Sequence, residues 1–200
     1  MKTWGWLGAV LLTAPVLAGD LFEHPQTPAQ AETALRAAMP GLGQMQVLRG
    51  RFSQRKFLRE IPRPLTSTGE FLLVRDRGIW WHTQTPLESE LTLTPGGAAQ
   101  QQLAASIFFA LFALDLDTLA RNFDLFVMDS GEPKPQWLLG LQPRDATLAA
   151  WFQQATISGG LHVQRITLFE AAGDRTEIDL DAATQPRSSL TPAERKRFEL

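Results

Sequence analysis

The stretch "TGEFLLVRDRGIWWHTQTPLESELTLT", residues 68–94, reads as three consecutive strands of a meander. "GEFLLVR" and "IWWHTQT" alternate with a period of two and flank Asp76-Arg77-Gly78, a short glycine-containing hairpin loop. "ESELTLT" continues the run, placing Ser89, Leu91 and Leu93 on one face until Pro95-Gly96-Gly97 ends it. Strands in hairpin order make an antiparallel sheet rather than a βαβ array. The alternation does not decide which face is inward. Phe71 and Leu73 share a face with Arg75, and the hairpin extends it to Ile79 and Trp81, but Leu72, Val74 and Trp80 make the opposite face apolar too.

Upstream, Thr27-Pro28 opens a helical pattern with Ala31, Ala34, Leu35 and Ala38 on one face, stopping at Pro40-Gly41. From Met45 the period becomes two, with Leu48, Gly50, Phe52 and Gln54 sharing a face, and a proline-rich bend, "IPRPLTS", follows. Downstream, "QQLAASIFFALFALDLDTLARNF", residues 101–123, is helical in spacing. Leu103, Ile107, Leu111 and Leu114 mark one face, but Phe108, Phe109 and Phe112 make most of the circumference apolar. Such a helix is buried or covers something apolar. Asp115 or Asp117 is placed to cap a helix from about residue 118. "FDLFVM", "QWLLGLQP", "ATISGGLHVQRITLFEA" and "RTEIDLD" read as strands interrupted by a helical "ATLAAWFQQ", and Thr191-Pro192 is a second helix start. The class is α+β with an antiparallel sheet, and a curved sheet whose concave side is plugged by apolar helices is one way to arrange it.

At the N-terminus, Lys2, the apolar run Trp4 to Leu12 and the Val16-Leu17-Ala18 pattern predict a cleavable signal peptide over residues 1–18. One domain then spans 19–200, with 19–27 a polar leader and 183–200 a charged tail. No cysteine follows the signal, which excludes disulfides, thiolate chemistry and a lipid anchor on cysteine. Formal net charge is −2, without the basic excess of a nucleic-acid binder. All twelve Phe lie beyond residue 18, and the chain has no Tyr.

Little of this is catalytic. His24, His82 and His162 have no metal-ligand spacing, the glycine pairs at 96–97 and 159–160 are turns, and Ser106, Ser158, Ser188 and Ser189 lack a nucleophile-elbow context. No enzyme, metal or cofactor is expected. Arg49, Arg51, Arg55, Lys56, Arg59 and Arg63 read as a solvated edge, or as a patch for an acidic partner or lipid headgroups. Arg75 reads either as a strand-end cation in water or as a guanidinium at the mouth of an apolar cavity.

"GRFSQRK" followed by "TGEFLLVRDRGIWWHTQTPLES" resembles the LolA-type periplasmic outer-membrane lipoprotein carriers. Phe52 and Gln54, then Gly69, Glu70, Arg75, Trp81, Pro86, Glu88 and Ser89 carry the match, and a looser likeness spans roughly residues 30–182. The resemblance implies an unclosed β-barrel under a helical lid, enclosing an apolar cavity for acyl chains. It puts Leu48, Phe52, Phe71, Leu73, Ile79, Trp81, Leu91 and Leu93 on the lining. Ile107, Phe108, Leu111 and Phe112 fall on the lid, and Arg75 is the latch bonded to it. It implies a periplasmic monomer that takes acylated lipoprotein or lipid from an inner-membrane lipoprotein-releasing ABC transporter and hands it to an outer-membrane receptor. A lipid- or protein-sensing module on the same half-barrel, or a carrier of a glycolipid or lipid-linked pigment, is the alternative. The chain departs from the pattern in three ways. Asp76 stands where a proline is usual, about a hairpin is missing after Ser89, and the chain ends in "AERKRFEL" in place of a last strand.

Overall fold

The structure, a computed structural model, describes residues 20–41, 44–94, 99–129, 137–185 and 189–198. The signal-peptide segment and Pro95-Gly96-Gly97 lie outside the described residues. In chain order the elements are α1 (Pro28–Ala38), β1 (Val47–Phe57), β2 (Leu65–Val74), β3 (Gly78–Thr85), β4 (Ser89–Leu93), α2 (Ala99–Ala113) and α3 (Leu116–Asn122). Then follow β5 (Phe123–Asp129), β6 (Trp137–Pro143), α4 (Ala146–Ala149), β7 (Gln154–Gly159), β8 (Val163–Phe169), β9 (Arg175–Gln185) and α5 (Pro192–Lys196).

The nine strands form one sheet in the order β4-β3-β2-β1-β9-β8-β7-β6-β5, every neighbouring pair antiparallel. Two meanders meet along β1 and β9, paired from Val47↔Gln185 to Phe57↔Arg175. β4 and β5 are the two ends of the order, so the barrel is unclosed. Register shifts at Thr68/Gly69 and Ser158/Gly159 bend the sheet, as bulges do. The trough is deep enough for α2 to touch both β2 and β8, strands separated by β1 and β9. Part of the β5 edge is covered by the leader: the Gln26 N–H donates to the Leu125 carbonyl at 2.7 Å, and its Nε2 to Val127 O at 3.1 Å.

Local signals decide most helix ends. Thr27 caps α1 in a full capping box with Gln30, and Pro28 opens the helix. Ala31 and Leu35 are buried as the spacing predicts, but Ala34 is exposed, because α1 rests on β5 and α3 along a narrow stripe. The helical run over 101–123 divides where the expected cap at Asp115 falls. Leu114 takes φ 50° while the Asp115 N–H reaches back to Ala110 O, the closing bond of a left-handed helix end. Asp115 then caps α3 through Thr118. The predicted helix over "ATLAAWFQQ" shrinks to the single turn of α4, because Gln154 onward is claimed by pairing with β8. β2 begins at Leu65, inside the predicted bend, because Leu65 to Ser67 pair with Lys56 to Gln54.

The basic run is not an edge. β1 lies in the interior of the sheet, and Arg51, Ser53 and Arg55 stand opposite Asp181, Asp179 and Glu177 of β9. Arg51 meets Asp181, Arg55 meets Glu177 at 2.8 Å and Asp179 at 3.2 Å, and Lys56 meets Glu170. Directly opposed unlike charges suit neighbouring strands. Where the acids stop, the outer face turns apolar.

There the tail docks. Leu190 and Phe198, flanking α5, bury against Val47, Leu72, Val74 and Trp80. The Arg197 guanidinium lies 3.7 Å from the Trp80 ring centroid, and Arg49 grips Glu194 at 2.8 Å. Both faces of β2 and β3 are apolar because each has its own cover. Glu194 closes a capping box with Thr191 and is held below its ordinary carboxyl value of 4.5. Burial pushes it up, but the Thr191 hydrogen bonds and Arg49 outweigh burial. A depressed carboxyl stabilises fully above its unfolded value and loses that contribution as pH falls through the folded one. The docking of α5 is therefore expected to weaken below about pH 4.5, with a change in tryptophan fluorescence that Glu194→Gln flattens.

Candidate functional site

On the concave face the even residues of β1 and the odd residues of β2 and β3 converge. Leu48, Phe52, Phe71, Leu73, Ile79 and Trp81 are all buried in one cluster. The resemblance placed these on the inner lining, and they lie together here. Trp81 is the centre. Its ring stacks on Phe52 with centroids 3.7 Å apart and lies 5.9 Å from Phe71. From α2, Phe112 and Phe108 meet it edge-on at 5.3 and 5.8 Å, and the two phenylalanines are 4.6 Å apart. Ile107 and Leu111 are buried in the same cluster, so all the proposed lid residues point into the trough or pack against it. Between Ala105 and Leu114 only Ser106 is exposed. The trough is filled by the protein's own aromatic rings.

The edge strand β4 is less uniform. Leu93 packs on the core, whereas Leu91, opposite Trp81 in the register, is 49% exposed. Arg75 follows the last residue of β2. Its Nε donates to the Met45 carbonyl at 2.7 Å, and its backbone N–H to Gln46 O at 3.0 Å, fastening the hairpin end to the segment that enters β1.

Beside α2 there is open space. A cavity of about 470 Å³ lies between the β2–β3 turn, the end of β4 and the α2–α3 corner. Leu103 and Phe109 wall it from α2 and Leu93 from β4, while Asp76, Asp115 and Thr118 stand at its polar end. Asp76 has φ 63°, a left-handed conformation aspartate tolerates and the proline ring cannot take. Sequence alone places Asp76 in a hairpin loop and Asp115 at a helix cap, with nothing to bring them together. Their shared cavity depends on how α2 crosses the sheet, for which no local pattern exists. Among the described residues no group of three or more His, Asp or Glu is arranged to hold a metal, and no helix is long and apolar enough to cross a membrane.

These features define a class: an unclosed antiparallel half-barrel with an aromatic helix laid in its trough. No family model and no curated protein matches the chain. Solved structures similar to it include a chain of the Pseudomonas aeruginosa MucA/MucB complex, at 15% identity and TM-score 0.42, covering 82% of this chain. The present chain spans 62% of that one. Others are a putative outer membrane lipoprotein-sorting protein domain from Vibrio parahaemolyticus (7% identity, TM-score 0.37, covering 82% and 94% of the two chains) and a LolA superfamily protein from Nitrosomonas europaea (10%, 0.35, 85% and 97%).

Proposed function

We propose that the protein is a periplasmic carrier that shields acyl chains of a lipoprotein or related lipid in the trough and releases them to an outer-membrane acceptor. The observation that carries this reading is α2. It is apolar over most of its circumference from Leu103 onward, Ser106 excepted, fills the concave face with Phe108 and Phe112, and has empty space along its other flank. Lifting it would leave a hollow walled by Phe52, Phe71 and Trp81, of the apolar character that ligand sites have.

The magnitudes suit exchange rather than storage. Burying ~14 methylenes at ~0.8 kcal/mol each is favourable by about 11 kcal/mol. Three such chains would reach roughly 33 kcal/mol, beyond the ~18–21 kcal/mol at which affinities saturate. Displacing the α2 rings from their aromatic partners offsets part of that gain, which keeps release feasible. Arg75 fastens the end of the β2–β3 hairpin to the Met45 carbonyl rather than to α2, and in this reading that charge-assisted hydrogen bond, worth about 1.5–3 kcal/mol, holds the mouth of the trough shut in the empty form.

Arg75→Leu is therefore expected to favour the open, loaded form and slow hand-off by roughly tenfold. The measurement is transfer of a fluorescent diacylated peptide from the carrier to acceptor vesicles; equal rates for both proteins would refute the latch. The function itself is tested by mass spectrometry of apolar material co-purifying from the periplasm, followed by that transfer assay. Bound lipid that moves to an acceptor supports the carrier. Stable binding of one protein domain without lipid transfer would replace it with a sensing module.

A further inference from the structure

We infer that the outer side of β4 takes the polypeptide of the acylated cargo as an added strand, and favours a segment in which Lys or Arg alternates with apolar residues. The inference rests on the carrier reading and adds what holds the protein part of the cargo. β4 ends the strand order. It pairs with β3 from Thr83↔Ser89 to Ile79↔Leu93 and, among the described residues, with no strand on its other side. The row of N–H and C=O groups along such an edge is a template for an extended chain. The opposite edge shows how this molecule covers one. At β5 the leader lies alongside in an antiparallel bridge, Gln26↔Leu125, held by the Gln26 N–H on the Leu125 carbonyl. On β4, by contrast, Ser89, Glu90, Leu91 and Thr92 are all exposed.

The two-residue period gives this edge two unlike sides. Leu91 and Leu93 stand on the trough side, opposite Trp81 and Ile79. Leu93 also walls the space beside α2 together with Leu103 and Phe109. An added strand sets its own apolar residues against these leucines, so acyl chains in the trough and the polypeptide joined to them bind at adjoining places. The other side is acidic. Glu90 accepts from the Trp80 indole N–H, and Glu88, just before the strand, meets His82 Nε2 at 3.1 Å. Neither forms an ion pair with a Lys or Arg among the described residues. A carboxylate offers about four acceptor positions, so both keep capacity for a cationic side chain. Unlike charges on neighbouring strands are favourable and like charges are not, which selects a basic segment over an acidic one.

The probes are three diacylated peptides with identical acyl chains. Their polypeptide parts are alternating Lys and Val, alternating Glu and Val, and the Lys–Val sequence with every amide N-methylated, which cannot donate along an edge. Each is loaded on the full chain, and its release to excess neutral phosphatidylcholine vesicles is timed. The Lys–Val peptide is expected to leave about tenfold more slowly than either of the others. In Glu88→Gln/Glu90→Gln the difference between Lys–Val and Glu–Val should shrink to within about twofold, while N-methylation still speeds release. Glutamine keeps the acceptor for Trp80, so this variant is expected to fold. Leu91→Lys, a cation on the trough side of the edge, should speed release of the Lys–Val peptide about tenfold. Release that ignores the side chains or the N-methylation, or a Lys preference surviving in the glutamine variant, overturns strand addition and leaves the carrier reading intact. Failure of all three peptides to load overturns both.

Discussion

Trp81→Ala is expected to lower the unfolding free energy by about 3–5 kcal/mol, seen as an earlier urea midpoint with little change in slope. Trp81 is only 8% exposed and lies between the two halves of the concave cluster. It stacks on Phe52 of β1 and meets Phe108 and Phe112 of α2 edge-on. Truncation removes the burial of the ring and leaves a void beneath α2. It also abolishes aromatic pairings worth about 0.5–1.5 kcal/mol each beyond area. Trp81→Phe should cost markedly less, since a ring remains to stack on Phe52. The neighbouring Trp80→Ala loses the seat of Phe198 and Arg197 on the other face. It is expected to release α5 while sparing the concave cluster. Hydrogen exchange separates the two: protection should fall in residues 190–198 for Trp80→Ala and in α2 for Trp81→Ala.

Gly50→Ala should cost about 1–3 kcal/mol, with a fall in melting temperature of roughly 2–4 °C per kcal/mol for a chain this size. A Cβ at Gly50 would stand 2.2 Å from the Asp181 carbonyl oxygen and 2.6 Å from the Ala182 Cα. Both obstacles are backbone, so the clash cannot be relieved by turning a side chain. It falls on the β1–β9 pairing, which alone joins the two meanders into one sheet. Gly41→Ala, where nothing lies within 4 Å of the new methyl, is the control and should change stability by less than about 0.5 kcal/mol.

Elements governed by neighbours in sequence were legible in advance. The β2–β3 hairpin follows from alternation around Asp76-Arg77-Gly78, and α1 and α5 from threonine caps with proline at the first turn. The residues of the concave cluster were legible as well. An inward set of Phe71, Leu73, Ile79 and Trp81 needs only the two-residue period and a choice of face. Choosing the face was beyond that period. Leu72, Val74 and Trp80 are as apolar as their neighbours, and what covers them is Leu190 and Phe198, more than a hundred residues away. The tail reads as charged because its acids and bases form a cap and an ion pair, while two apolar residues do the packing.

Sequence alone determined the local alphabet of this protein: strand period, turn positions, helix caps, and an aromatic helix too apolar for water. Those properties depend on contacts within a few residues, where chain entropy costs least. Tertiary structure alone decided that β1 is an interior strand neutralised by β9, that the tail seals the outer face, and that Asp76 and Asp115 share one cavity. Each brings together groups dozens to more than a hundred residues apart. Such pairings are selected by the burial and charge balance of the whole sheet, which no short window of sequence contains.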